Sequence, residues 1–359
     1  MSCCARHRPV QAVVERIDQR IRDDAGHRGL AGHPGAEPLC PGHLLGAACE
    51  LSGPPGRAVV CTGFYVPHGS PAAAETDGPP GAAFLARVLQ GLGWSVGILT
   101  DRGCRQAVAA AVVSAGLDPA LVSCGPRDPD AWLREELSLG LTHLIAVERV
   151  GPSHTLASLR GQSAGRSVPE SRFERLVAGS QRDRCHNMHG QPIEAWTAPL
   201  HLVFDRLREY PEPVSTIGVG DGGNEIGMGC IGWEQLEQRL GGGVAGRVVC
   251  RVATRWNVIA GTSNWGAWGL AASALLLSGR AHRVLDWAAE DHGRILTDTV
   301  EQGPAVDGVT GNRVATVDGL PMSEYLAAWC EIQRQVAPLA PGKGGSRLNG
   351  LLLPPGNCP

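Results

Sequence analysis

The segment TIGVGDGGNEIGMGC, residues 216–230, combines closely spaced glycines with two carboxylates and a carboxamide. Its glycines satisfy the G-x-G-x-x-G spacing of dinucleotide-binding loops, in which a helix N-terminus attracts a pyrophosphate. Asp221 and Glu225 lie in the same stretch, and their negative charge opposes phosphate binding. With the amide oxygen of Asn224 they form a hard-oxygen donor set that suits Mg²⁺ or Mn²⁺. The loop therefore favours a divalent metal over NAD.

Further carboxylates occur beside elements that the sequence marks as buried. In ETDGPPGAA, Glu75 and Asp77 precede a predicted helix, and helix capping by Asp77 is the competing explanation. In AVER, Glu148 ends an apolar strand, where a carboxylate is unfavourable unless it binds a metal or pairs with an arginine such as Arg149. Asp307, in GPAVDGVTG, is better explained as a turn residue.

The stretch ATRWNVIAGTSNWGAWGL, residues 253–270, leads into a helix and has two interpretations. Thr262 or Ser263 caps that helix. Alternatively, the segment forms a substrate wall in which asparagines bind amide or carboxylate groups and an arginine clamps an acid. The predicted substrate-binding residues of the chain are Thr62, Tyr65, Arg149, Asn187, Arg255, Asn257 and Asn264.

The predicted metal shell combines the acids of these motifs with one amide. Its members are Glu75, Asp77, Glu148, Asp221, Asn224 and Glu225. Three of them are also the predicted catalytic residues, namely Glu148, Asp221 and Glu225. His186 and His189 have the spacing of two ligands on one helical face, although isolated pairs of this kind more often face solvent.

Lysine chemistry is not expected, because Lys343 is the only lysine and lies in a stretch rich in glycine and proline. A Schiff base with pyridoxal phosphate and a Walker-type phosphate site both require a lysine. Acid–base work therefore falls to carboxylates, histidines, cysteines or metal-bound water. The twelve cysteines include no C-x-x-C pair, so neither a zinc cage nor a disulfide framework is predicted.

Apolar strands alternate with helices from residue 57 onwards. The predicted strands cover 57–64, 95–101, 120–125, 143–150, 215–221 and 246–254. The predicted helices cover 9–24, 79–93, 104–116, 128–140, 197–209, 264–278, 280–297 and 322–336. This order predicts an α/β fold with a mostly parallel sheet, helices on both faces, Rossmann-like layering and a ligand site at the carboxyl ends of the strands. The candidate residues follow strands, so they are expected to converge at one rim.

The predicted organisation has three parts. Residues 1–54 are an N-terminal helix with an irregular lead-in, 55–338 form the α/β domain and 339–359 are a flexible tail. Within the domain, 151–196 has little periodicity and is expected to be an irregular excursion or a lid.

Composition narrows the classes of partner. With 359 residues, 43% of them hydrophobic, and a net charge of −3, the chain is typical of a globular protein. Neither nucleic acid nor a membrane is an expected partner, because no basic block and no apolar run of spanning length occur. The N-terminus has no apolar export segment, so a cytoplasmic location is expected.

Seven motifs in order resemble the C-terminal module of the D-glutamate cyclase family over roughly residues 55–320. They are CTGFYVP, ETDGPPGA, AVERVG, NMHG, TIGVGDGGNEIGMG, ATRWNVIAGTSNWGA and VDGVTG. The resemblance implies an α/β fold and, for the whole family enzyme, dehydrating cyclisation of D-glutamate to 5-oxo-D-proline. It also offers a mitochondrial location as the alternative.

Two features depart from the family pattern. Nothing in the sequence resembles the family's separate N-terminal module. Near Asn187, the neighbours Cys185, His186 and His189 replace the expected tyrosines and arginine. Three hypotheses follow: a metal-assisted lyase acting on D-glutamate or a similar acidic metabolite, a divalent-metal-dependent hydrolase such as a phosphatase, and a non-catalytic small-molecule or nucleotide-binding module. The sequence does not predict the oligomeric state.

Overall fold

The computed structural model describes residues 3–26, 30–31, 37–162, 169–207, 209–210 and 214–340. The strands in these residues are β1 Arg57–Thr62, β2 Tyr65–Val66, β3 Ala73–Ala74, β4 Ser95–Thr100, β5 Val122–Cys124, β6 Leu141–Val147, β7 Ser215–Gly220 and β8 Trp256–Ile259. Six of them form one parallel sheet in the order β5-β4-β1-β6-β7-β8, while β2 and β3 pair antiparallel. The predicted parallel α/β sheet is confirmed.

Helices cover both faces of this sheet, as predicted. The helices of the described residues are α1 Cys3–Ile21, α2 His43–Leu51, α3 Pro79–Leu92, α4 Arg105–Ser114, α5 Pro129–Ser138, α6 Leu156–Gln162, α7 Glu170–Leu176, α8 His201–Leu207, α9 Trp233–Leu240, α10 Ala245–Val248, α11 Ser263–Leu277, α12 His282–Leu285, α13 Ala289–Glu301 and α14 Met322–Val336. None of these helices has both the length and the apolar character that crossing a bilayer requires.

Two apolar cores result from the alternation of side chains along the strands. Val60 of β1 packs into the core under α1–α4 and α11–α14. Its neighbour Val59 faces the opposite core, formed with α5–α9. The central strands β1, β6 and β7 are largely buried on both faces, so polar side chains gather at their carboxyl ends.

Two predictions about elements are wrong. The lead-in contains α2, whose apolar residues recur at helical spacing and bury Leu44, Ala47 and Leu51. The predicted strand 246–254 is absent, since α10 and irregular backbone occupy this region and the strand is the short run WNVI of β8. Arg255 therefore precedes a strand instead of following one.

The segment 151–196, predicted as an irregular excursion or lid, contains two short helices, α6 and α7. Its residues 163–168 fall outside the described residues. The prediction of a flexible tail also falls largely outside them, because description ends at 340. The N-terminal helix is present, and its Ile17 and Ile21 pack against Gly269 of α11.

His292 of α13 is a buried histidine in an aromatic cluster. The rings of Phe84, Trp268, Trp287 and Trp329 lie 4.4 to 5.9 Å from its own, centroid to centroid. Burial lowers the pKa of His292 to about 3. The folded chain thus keeps this ring neutral at a pH where the unfolded chain already binds a proton.

Replacing His292 by phenylalanine is expected to reduce the acid sensitivity of the fold. Since the folded pKa lies below the unfolded value, the wild type loses stability as the pH falls below about 6.5, by about 1.4 kcal/mol per unit. Between pH 7.5 and 5.5 the free energy of unfolding should fall by about 1.4 kcal/mol less in the variant, as measured by urea denaturation. The exposed control His282→Gln should behave like the wild type. An unchanged pH dependence in His292→Phe would contradict this account.

Candidate metal centre and cavity

Acidic side chains from separate stretches of the chain meet at the carboxyl edge of the sheet. Glu148, Asp221 and Glu225 each offer an oxygen within 4.8 Å of the others, and all three are buried. Asp77, Asp221 and Asp318 form a second buried group with the same spacing. Asp221, directly after β7, belongs to both groups. Glu148, Asp221 and Glu225, which follow predicted strands, therefore converge at one edge of the sheet, as expected.

The glycine-rich loop after β7 binds its own carboxylate. The amide of Gly222 donates to Glu225 Oε1 at 2.6 Å, and that of Gly223 donates to Oε2 at 2.7 Å. Gly223 has a φ of 101°, a conformation that favours glycine and turns its N–H towards this carboxylate. Amides that would face a pyrophosphate in a dinucleotide loop are thus occupied by Glu225. This arrangement supports the cation-binding interpretation of the loop.

Glu148 is held in an unusual backbone conformation at the end of β6. Its φ is 46°, its N–H donates to the carbonyl of Val219, and Ser263 Oγ donates to its Oε2 at 2.6 Å. Burial, reinforced by the charges of Glu225 and Asp77, raises the pKa of Glu148 well above its usual value. This carboxyl therefore holds a proton more readily than a solvent-exposed glutamate does.

Asp77 and Asn264 fix two helix starts reciprocally. Asp77 accepts the amides of Ser263 and Asn264 at 2.7 and 2.8 Å, at the start of α11. Asn264 Oδ1 accepts the amides of Gly78 and Gly81 at 3.1 and 2.7 Å, at the start of α3. Asp77 is thus a cap as anticipated, but of a helix 186 residues away in sequence rather than the adjacent one. The bond from the Ser263 amide to Asp77 fixes Asp77 relative to Ser263, whose hydroxyl donates to Glu148.

Gly78 allows the close approach of these two acidic stretches. Its φ is 95°, and a methyl group added there would lie 2.7 Å from Glu148 Cβ and 3.0 Å from Thr62 Oγ1. Thr62 ends β1, is fully buried, and its hydroxyl makes no hydrogen bond with the described residues. Of the predicted substrate-binding residues, Thr62 therefore lies directly beside the acids.

A cavity of about 410 Å³ adjoins the carboxylates, a volume in the range of small-molecule sites. Its polar lining consists of Glu75, Glu148, Glu225, Asn187, Asn224, His68, His189 and Thr310. The described residues that line it include no lysine and no arginine. Any anionic ligand in this cavity therefore needs a source of positive charge.

Asn187 lines the cavity and shapes the loop that carries it. Its Oδ1 accepts the amides of His189 and Gln191, and its Nδ2 lies 2.9 Å from His68 Nε2. His186 does not join His189 at a common site: its Nε2 lies 2.9 Å from Gln181 Oε1. Burial lowers the pKa of His186 to about 4. The two histidines therefore face different surroundings, and His189 alone lines the cavity.

Arg149 is committed to the interior. Its guanidinium pairs with Asp101 through two bonds of 2.5 and 2.9 Å, and it also donates to the carbonyls of Gly63 and Ala198. Glu148 is not its partner, which excludes the arginine pairing considered for that acid. Arg149, predicted to bind substrate, is a structural residue that ties together the loops after several strands.

Three other predicted substrate-binding residues lie away from the cavity. Arg255 is 63% exposed and pairs with Glu50, and its amide bonds to Thr216 at the start of β7, which places it at the opposite edge of the sheet. Asn257 is buried within β8, with its Nδ2 3.6 Å from Met228 Sδ. Both corrections follow from the misplaced strand. Tyr65 stacks on Trp196 with ring centroids 6.2 Å apart.

Sequence reasoning missed Asp318 and the bond from Ser263 to Glu148. Asp318 lies in TVDGLP, where an aspartate followed by a glycine indicates only a turn. The structure shows such a turn, with a φ of 54° at Asp318. Asp307 has the turn role expected of it, since it accepts the amides of Val309, Thr310 and Gly319. These bonds position the turn that carries Asp318.

A comparison with known proteins finds one family and one relative that resemble this chain. A sequence profile of the family described as D-glutamate cyclase-like, C-terminal, matches residues 17–166 and 172–331, which include every acid of both groups. The human protein named D-glutamate cyclase, mitochondrial, is 29% identical over 273 residues. That alignment covers 74% of this chain and 39% of the human protein. The chain thus corresponds to less than half of this relative.

Proposed function

Since the chain belongs to the D-glutamate cyclase-like, C-terminal family, we propose that it is a cation-dependent lyase that converts D-glutamate to 5-oxo-D-proline. The observation that supports this most is the convergence of buried carboxylates beside a cavity of small-molecule size. The name of the human relative suggests this reaction, but the chain spans only 39% of that protein's length, so the reaction is part of the proposal.

The donor set fits a hard divalent cation such as Mg²⁺ or Mn²⁺. The candidate ligands are oxygens in two groups that share Asp221, and carboxylate oxygens are the ligands such ions prefer. Burial and the negative charges of neighbouring acids together raise the pKa of Glu148, so a bound cation would stabilise its ionised form. Asn224 and Glu75, which line the cavity, are proposed as further ligands. When bound, the cation would supply Lewis-acid polarisation of a substrate carboxyl.

Glu148 is the proposed proton carrier of the reaction. Cyclisation requires the substrate nitrogen to lose two protons, one before it attacks the γ-carboxyl carbon and one after the new C–N bond has formed. The departing carboxyl oxygen takes up both protons and leaves as water. Glu148 carries them in turn from the nitrogen to that oxygen, while Ser263 orients its carboxylate. Asp221 and Glu225 hold the cation, with Glu225 positioned by the loop amides.

The cavity walls are proposed to select and fold the substrate. Asn187, His68 and His189 line the cavity together with Glu75, Glu148 and Glu225, so they offer polar atoms to a ligand there. Holding the amine near the γ-carboxyl in the cavity would supply much of the rate through orientation.

Assay of the purified chain with D-glutamate tests the proposal. With Mn²⁺ or Mg²⁺ we expect loss of primary amine and formation of 5-oxo-D-proline, measured by chiral chromatography, and no product after chelation. Glu148→Gln keeps an amide oxygen beside Asp221 and Glu225, so it should lower kcat by at least about 10²-fold while cation binding persists. Glu324→Gln, an exposed control, should match the wild type.

Two results would contradict the lyase assignment. Hydrolysis of a generic phosphate ester without cyclisation would favour a metal-dependent hydrolase built on the same carboxylates. Cation binding without turnover of either substrate would show that this chain alone is a binding module.

A further inference from the structure

Two cysteines far apart in sequence touch at the surface of the structure. The Sγ atoms of Cys40 and Cys230 lie 3.6 Å apart, although the two residues are separated by 190 positions in sequence. Cys40 is half-buried and Cys230 is exposed, so a small reagent can reach the pair. Cys230 ends the glycine-rich segment that carries Asp221 and Glu225, and neither cysteine lines the cavity.

The surroundings make the two thiols unequal. The hydrogen bond from Cys230 lowers the pKa of Cys40, burial opposes this effect, and the positive charge of Arg22 adds to it. Arg22 is fixed nearby because it donates to the carbonyl of Leu39 at 2.9 Å. The same contact with Cys40 raises the pKa of Cys230. Cys40 is therefore the nucleophile of the pair and Cys230 the second thiol.

We propose that Cys40 and Cys230 are a redox modification site that forms a reversible intramolecular disulfide with a low-molecular-weight disulfide, such as oxidised glutathione, as the oxidant. The Cys40 thiolate attacks one sulfur of the oxidant and releases one small thiolate. The Cys230 sulfur, after losing its proton, then displaces the second small thiolate from the mixed disulfide. The protein gives up two electrons and two protons, and the oxidant becomes two thiols.

The geometry favours closure of this bond over a lasting mixed disulfide. A disulfide places its sulfurs about 2.05 Å apart, so the contacting atoms need to approach by only about 1.5 Å. The bond would join the segment before α2 to the end of the glycine-rich loop. Because the tie spans a long stretch of chain, it restricts the unfolded state and should raise the Tm. This inference is independent of the proposed lyase activity.

Thiol trapping of the full-length chain tests the site. The reduced protein is incubated with oxidised glutathione, alkylated with N-ethylmaleimide and mapped by peptide mass spectrometry. We expect a Cys40–Cys230 crosslinked peptide, reversal by dithiothreitol, and a Tm about 5 °C higher in the oxidised form. Cys40→Ser and Cys230→Ser should each lose both the crosslink and the Tm rise. Cys330→Ser, which removes an exposed cysteine elsewhere, should keep both.

The same experiment can overturn the proposal. If N-ethylmaleimide alkylates both cysteines after the incubation, or if each carries a stable glutathione adduct, the disulfide has not formed. If the crosslink forms but the Tm does not rise, the tie has no role in stability. Equal Tm values for the reduced serine variants and the reduced wild type show that the variants are folded, so these outcomes remain interpretable.

Discussion

Replacing Asp221 by asparagine is expected to abolish tight divalent-cation binding and to lower turnover by about 10³-fold. Asp221 is the residue common to the two carboxylate groups, so the substitution removes one negative charge from both at once. The side chain keeps its size, which limits any effect on packing. Losing a preorganised charge at a reacting centre typically lowers kcat by about 10²- to 10³-fold, and loss of the cation adds to this effect.

Cation affinity and kcat are measured together in this experiment, by calorimetric titration of Mn²⁺ and by the D-glutamate assay. Asp318→Asn disturbs only the second group and should have a smaller effect than Asp221→Asn. Asp118→Asn is the matched control, since Asp118 caps a short turn where asparagine serves equally well. Unchanged Mn²⁺ affinity in Asp221→Asn would remove the basis for the cation site.

The carboxyl-edge rule explains why much of the acidic site was predictable. Strands such as β1, β6 and β7 are recognisable in the sequence because they are nearly continuous hydrophobic runs. In a parallel sheet, the residues that follow such strands lie at the same edge. Glu148, Asp221 and Glu225 were found in this way. Asp77 came from its acidic motif, although its proximity to Asp221 is a tertiary fact.

The errors have equally physical origins. The run VVCRV has strand character, whereas the true strand WNVI has only four residues and begins with tryptophan, so a short apolar run was assigned to the wrong element. That shift placed Arg255 and Asn257 at the wrong edge. The reciprocal cap of Asp77 and Asn264 joins positions 183 or more apart, and no local pattern encodes such a partner. Asp318 was hidden because aspartate before glycine is an ordinary turn signal.

Arg149 illustrates how a residue at the rim can serve the fold instead of the ligand. A charged side chain next to a predicted catalytic acid suggests a substrate clamp, yet this guanidinium is fully buried and bonded to Asp101. Asp101 also accepts the amide of Ala198 at 2.6 Å. The pair therefore connects the loops after β1, β4 and β6 to one another.

Replacing Arg149 by methionine is accordingly expected to lower the free energy of unfolding by about 3–5 kcal/mol, because it leaves the Asp101 carboxylate buried without its counter-charge. Denaturant unfolding measures the loss. The double variant Arg149→Met/Asp101→Leu should be less destabilised than the sum of the single variants, since it removes both charges. Arg102→Met, an exposed neighbour, should change stability by less than about 0.5 kcal/mol. If Arg149 were instead a substrate clamp, Arg149→Met would raise KM for D-glutamate with little change in unfolding, and that result would reverse the structural assignment.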